Sequence, residues 1–215
     1  MRGIACVRAS VGWVRADFEE LALGNQYSCG LMTNGTARCW GYNGHGETNV
    51  PAVTGGWKSL SAEHLHNCGI LLADNSGRCW GYNQYGETTV PAITGGWASL
   101  TAGTIVTCGI LLADNSGRCW GHTGYLGPVT TVPAVTGGWK SLSSSYIHTC
   151  GILLADSSAR CWGNNGRGQT TVPAITGGWA SLAAGWLHTC GVTKLNSTTL
   201  CWGYNDDGQT TVPKP

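Results

Sequence analysis

The stretch Trp57-Lys-Ser-Leu-Ser-Ala-Glu-His64-Leu-His66-Asn-Cys68-Gly-Ile-Leu-Leu72-Ala-Asp74-Asn-Ser-Gly77-Arg-Cys79-Trp80-Gly-Tyr-Asn-Gln-Tyr85-Gly-Glu87-Thr-Thr-Val-Pro91 is one copy of a repeat that fills most of the chain. Its signals are β throughout. A short apolar-polar segment from Trp57 leads into the apolar run Cys68–Leu72. The turn formers Asp74–Gly77 follow, and Arg78-Cys79-Trp80 resumes an extended chain. Gly81–Gly86 reads as a loop. Thr88-Thr89-Val90-Pro91 can form only an edge or terminal strand, because proline has no ladder donor. No window shows the apolar stripe of an amphipathic helix.

Working outward, Cys-Trp recurs at Cys39-Trp40, Cys79-Trp80, Cys119-Trp120, Cys161-Trp162 and Cys201-Trp202, in steps of 40, 40, 42 and 40 residues. Gly-Gly-Trp keeps the same beat, ending at Trp57, Trp97, Trp139 and Trp179. Five copies cover residues 18–215, and residues 1–17 form a divergent N-terminal segment that could close a sheet through Ile4–Val7. Three to four short antiparallel strands in every 40–42 residues predict an all-β fold, a β-propeller of about five blades, over a β-solenoid.

Composition narrows the function. The 215 residues carry 12 Lys+Arg against 11 Asp+Glu, a net charge of +1, so no basic field exists to hold a phosphate backbone, and no nucleic-acid partner is expected. Apolar stretches are too short to span a bilayer as helices. Eleven tryptophans and a low charged fraction argue against disorder.

The run Trp80-Gly81-Tyr82-Asn83-Gln84-Tyr85-Gly86-Glu87 resembles the W-G-x-N-x-x-G-Q signature of the regulator-of-chromosome-condensation repeat family. Trp162–Gln169 and Trp202–Gln209 match it fully, and Trp40–Glu47 has Glu for Gln. The third copy departs: Thr123 replaces Asn, and the loop through Gly127-Pro128 is two residues longer. His148-Thr149, His188-Thr189 and partly His66-Asn67 match the family's second signature. The resemblance implies a propeller, commonly of seven blades, so five copies leave open a smaller closed ring or part of a longer propeller. The family's nucleotide-exchange activity on a small GTPase needs an insertion and a basic tail absent from these repeats. That role is the intracellular alternative if the cysteines are reduced. A bacterial relative with similarly compact blades inhibits β-lactamase, which implies that such propellers can act purely as binding surfaces.

Each Cys-Trp cysteine has an earlier companion, giving the pairs Cys29/Cys39, Cys68/Cys79, Cys108/Cys119, Cys150/Cys161 and Cys190/Cys201. The spacing is 10 in the first and 11 in the rest, and no Cys-x2-4-Cys zinc spacing occurs. A three-residue loop Thr33-Asn34-Gly35, with Gly35 left-handed, would set Cys29 opposite Cys39, while the other pairs need a bulge or longer turn near Asp74, Asp114, Asp156 or Asn196. Ten cysteines in five like pairs favour five intrablade disulfides over reduced core thiols. That in turn implies an oxidising, extracellular or cell-surface location. The sequons Asn34-Gly35-Thr36 and Asn196-Ser197-Thr198 fall at predicted hairpin tips. The N-terminus shows no signal-peptide core, and Cys6 is left without an assigned partner.

Two periodic tryptophans per copy read as wedges between blades, with stacking platforms for sugar as the rival reading. The His66, His148, His188 series reads as structural, since equivalent positions lie around a ring instead of converging. No catalytic motif, cofactor site or metal site is expected. Glu47, Glu87, Gln169 and Gln209 share one position and read as braces of the backbone. Function is expected where uniform repeats differ: His45, Tyr85, Tyr125, Arg167 and Asp207 in one loop series, and His64, Tyr146 and Trp186 in another. These residues predict a non-catalytic module that binds a protein, with carbohydrate binding as the alternative.

Overall fold

The computed structural model describes residues 5–9, 12–123 and 128–213. Its strands form five three-stranded antiparallel sheets, the blades, and a separate ribbon of Ala5–Ala9 with Gly12–Ala16, in which Cys6 lies opposite Arg15. Blade 1 is Phe18–Leu23, Tyr27–Met32, Ala37–Gly41. Blade 2 is Trp57–Glu63, His66–Leu71, Gly77–Gly81. Blade 3 is Trp97–Ala102, Val106–Leu111, Gly117–Gly121. Blade 4 is Trp139–Ser144, His148–Leu153, Ala159–Gly163. Blade 5 is Trp179–Ala184, His188–Thr193, Thr199–Gly203.

The strands of each blade follow chain order, and the first strands of neighbouring blades pack on one another, so the first is the inner strand. Among the described residues no blade has a fourth strand. The Thr-Thr-Val-Pro segment runs as an irregular connection to the next blade, its proline unable to donate to a ladder. Chain-neighbour blades pack against each other from blade 1 to blade 5.

All five disulfides lie within blades, between residues in direct register on the middle and outer strands. In blade 1 the hairpin turns through Gly35 at φ 79°. In the other blades the additional residue is taken up in the turn, with Asn75, Asn115, Ser157 and Ser197 in the left-handed conformation. The strands on either side keep the cysteines opposed.

Sequence repetition becomes one interblade joint used four times. The inner-strand Trp97, Trp139 and Trp179 are almost wholly buried, each clustered with the isoleucine of the preceding blade: Ile70, Ile110 and Ile152. Trp57 is clustered with Leu31 in the same way. The second tryptophan lies 5.3–5.4 Å from the first, centroid to centroid, and its indole N–H donates back to the preceding loop: Trp80 to the Glu47 carbonyl, Trp120 to Glu87, Trp162 to Val129 and Trp202 to Gln169. The glycine after the middle-strand cysteine of blades 2–5 makes room for this wedge, and in blade 1 Gly30 does so for Phe18. A Cβ on Gly69 would lie 2.5 Å from the Trp57 ring.

Hydroxyls complete the joint. Thr107 Oγ1 donates to the Glu87 carbonyl at 2.8 Å, so its contact with His66 Nε2, also 2.8 Å, must be donated by the imidazole. The same logic fixes His148 Nε2–H against Thr189, which donates to the Gln169 carbonyl. Both rings are fully buried. Burial holds His66 down at about 3 and His148 at about 4. The His66 Nδ1 atom has no partner among the described residues. His188, at the same position in blade 5, is only half-buried.

Candidate binding face

The loop that follows each outer strand is held by the residues of its own signature. Asn43, Asn83, Asn165 and Asn205 accept through Oδ1 the N–H of the residue five positions on, at 2.8–2.9 Å. The glycine three residues after each asparagine has φ of 80–89°. The Glu or Gln then accepts the N–H two residues back: Glu47 from His45, Glu87 from Tyr85, Gln169 from Arg167 and Gln209 from Asp207. This lock fixes where the variable residue at positions 45, 85, 167 and 207 emerges. Glu47 Oε1 and Glu87 Oε1 are buried without a partner among the described residues, whereas Gln169 gives its amide to Asn164 Oδ1.

Both variable series emerge at one end of the blades. The N–H that follows each outer strand donates to the turn between inner and middle strands: Tyr42 to Gln26, Tyr82 to Leu65, His122 to Ile105, Asn164 to Ile147 and Tyr204 to Leu187. We call this end the front. The turns form its inner row and the loops its outer row.

In the outer row the variable residue of one blade reaches the next. His45 meets Tyr82 edge to face at 5.0 Å, Tyr85 meets His122 at 4.5 Å, and the Arg167 guanidinium lies 5.1 Å from the Tyr204 ring centre. Within blades, Tyr42–His45 and Tyr82–Tyr85 complete a run of aromatic contacts across three blades, with Tyr42 and Tyr85 both more than two-fifths exposed. Asp207 is exposed in the last blade. Tyr125 lies outside the described residues. Tyr42, Tyr82, His122 and Tyr204 are additions to the sequence reading. Their signal is that the x of W-G-x-N is aromatic or His in four of five copies.

In the inner row, Trp186 is 57% exposed and lies 4.9 Å from Tyr146. His64 is half-buried with a left-handed backbone (φ 43°), and its carbonyl accepts the Asn25 N–H. Variation at this position does not always mean exposure, because Thr104 is buried and donates to Glu63 Oε1 at 3.4 Å. Burial raises Glu63 to about 7, although the Thr104 bond works against that rise, and burial lowers His64. Among the described residues no group of three or more His, Cys, Asp or Glu is placed to hold a metal ion. What the face offers chemically is aromatic surface with a few charges, mounted on rigid locks.

The regulator of chromosome condensation (RCC1) repeat model matches residues 18–47 and 179–209, the first and fifth blades with their loops. No curated protein sequence matches the chain. Among solved structures, the ectodomain of the Physcomitrella patens receptor kinase CR4 is 31% identical with a TM-score of 0.76, over 89% of this chain and 53% of that one. The chain thus spans about half the length of that ectodomain. The ectodomain of the Arabidopsis thaliana receptor kinase ACR4 is 25% identical, with a TM-score of 0.72 over 89% of this chain and 71% of that one. Prp20p from Saccharomyces cerevisiae shares the fold, at 14% identity and a TM-score of 0.69 over 93% of this chain and 61% of that one. With the RCC1 repeat matched in its first and fifth blades, and the same lock and joint recurring between them, the chain folds as a β-propeller of five blades similar to these structures.

Proposed function

We propose that the chain is a non-catalytic extracellular module whose front face grips a protein. The observation that carries this is the set of non-identical, exposed or half-buried aromatic and charged residues on otherwise uniform blades: His45–Tyr82 and Tyr85–His122 along blades 1–3, and the pairs Arg167–Tyr204 and Tyr146–Trp186 on blades 4 and 5. Tyr, Trp and Arg dominate interface hot spots because they bury much area at little conformational cost. Five intrablade disulfides and the likeness to receptor-kinase ectodomains support an oxidising location.

The test is to display the oxidised chain against a panel of receptor ectodomains and, in parallel, a glycan array. A discrete protein partner is expected, with Trp186→Ala or Tyr85→Ala weakening it at least tenfold and Leu72→Ala, at the opposite end of blade 2, leaving it unchanged. Saturable sugar binding lost on Trp186→Ala, with no protein partner, would replace this reading by that of a lectin.

A further inference from the structure

The hairpin between middle and outer strands sits at the back, opposite the front-face loops, and five copies of it can be compared within this one chain. Five residues before the outer cysteine stands Asn34, Asp74, Asp114, Asp156 or Asn196. In every copy this side chain accepts the N–H two residues on through Oδ1: Asn34 from Thr36 at 3.0 Å, Asp74 from Ser76, Asp114 from Ser116, Asp156 from Ser158, and Asn196 from Thr198 at 3.3 Å. The turn therefore uses one oxygen, which Asp and Asn supply equally. Nothing in it asks for an amide.

Two substitutions nevertheless travel together. Where the turn residue is Asn, the residue two positions on is Thr, and where it is Asp, that residue is Ser. The Asn-x-Thr combination occurs in blades 1 and 5, and Asp-x-Ser in the three between. Asn34, Thr36, Asn196 and Thr198 are all exposed. The turn bonds of Asn34 and Asn196 run through Oδ1, as does that from the Thr193 hydroxyl at 2.6 Å, so on these exposed residues the turn makes no use of the Nδ2 amides. Beside Asn196 lies a shallow hollow of about 480 Å³ lined by Ile175, Leu195 and Leu200, and Leu195 is 75% exposed. An apolar surface of that kind fits the N-acetyl and ring faces of a first sugar.

We propose that Asn34 and Asn196 are N-glycosylation sites, so that the back of the two terminal blades carries glycan while the front stays bare. The acceptor is the amide nitrogen and the donor a polyprenyl-diphosphate oligosaccharide. A bond forms between Nδ2 and the anomeric carbon, and the bond from that carbon to the diphosphate oxygen breaks. The diphosphate departs with the electron pair, the nitrogen loses a proton to a base of the transferase, and no redox change occurs. The proposal rests on the extracellular reading and sharpens it by assigning a binding face and a coated face.

The experiment expresses the full chain behind a secretory leader in a glycosylating eukaryotic host and measures intact mass before and after peptide:N-glycosidase, reduced and non-reduced. Two glycans are expected. Asn34→Asp and Asn196→Asp should each remove one while keeping the fold, because Asp already makes this turn in blades 2–4. Thr198→Ala should remove the second glycan and Thr198→Ser retain it. Cell-free translation into microsomes reads acceptor use even for a variant that is not secreted. A chain with all five disulfides formed but an unshifted mass overturns the glycosylation proposal alone. Free thiols at the ten blade cysteines overturn the extracellular reading, whatever the glycan result.

Discussion

At Glu47 the chain buries an acidic side chain so that one oxygen can take the His45 N–H, and the other oxygen has no partner among the described residues. Blades 4 and 5 make the same bond with Gln169 and Gln209. A buried amide is less costly to desolvate than an acid, so Glu47→Gln should stabilise the protein by about 1 kcal/mol at neutral pH, as a rise in unfolding midpoint. A fall would mean that the acid has a role which the lock does not explain. His66, His148 and Glu63 contribute to the pH dependence with opposing signs. His66 and His148 are held below their ordinary value, so the unfolded chain binds more protons as pH falls below about 6.5; their contribution is present above that value and is lost toward pH 4. Glu63 is raised to about 7, so its contribution is present below its ordinary value near 4.5 and is lost as pH rises to 7. Each proton is worth about 1.4 kcal/mol per pH unit. Glu63→Gln should therefore steepen the gain in stability between pH 5 and 7, and His148→Asn should flatten it. Denaturant midpoints measured across that range distinguish the two, and parallel profiles would refute both assignments.

Among the elements, the hairpin is where sequence spoke most plainly. Paired cysteines ten or eleven apart, with turn formers between them, define two strands in register, because that register alone brings the sulfurs together while the turn stays short. Removing one pair as Cys68→Ala/Cys79→Ala should cost about 2–3 kcal/mol of unfolding free energy and leave the other four bridges formed. The interblade wedge was equally legible: Trp97→Ala should cost about 3–5 kcal/mol, since it empties a site capped by Ile70 of blade 2. What sequence left hidden is contact between copies. Periodicity states that Tyr85 varies, but only the packing angle of successive blades places it on His122. Thr104 misleads for a similar reason. A position that is Asn, His, Tyr and Trp in the other copies reads as surface, yet the neighbouring turn folds over it and its N–H donates to the Ser145 carbonyl. The absent fourth strand follows from geometry too, because the residues before each proline must travel from the outside of one blade to the inside of the next.

Across the whole molecule, each blade owes part of its order to the blade that follows. In blades 2–4 the middle strand is buried along its entire length, because the next blade supplies a tryptophan over the aliphatic residue, and a hydroxyl residue beside the middle strand. The middle strand of blade 5 alternates between buried and half-buried: His188, Cys190 and Val192 lack the cover that His148, Cys150 and Ile152 receive. In an array coupled through neighbouring joints, stability falls where a joint is missing. Amides of His188–Thr193 should therefore exchange with deuterium well before those of His66–Leu71, Val106–Leu111 and His148–Leu153, although all four strands carry a disulfide to their outer neighbour. The measurement is native-state exchange read by mass spectrometry on peptides cleaved after quenching and reduction. Protection in His188–Thr193 equal to that of the inner blades would mean that the hairpin and its disulfide suffice, and that the interblade joint adds little. Graded protection would place the cost of opening in the tryptophan wedge and the histidine–threonine bond. It would also predict that a ligand gripping Trp186 and Tyr146 slows exchange first in the blade that carries Trp186, since that blade has the most order left to gain.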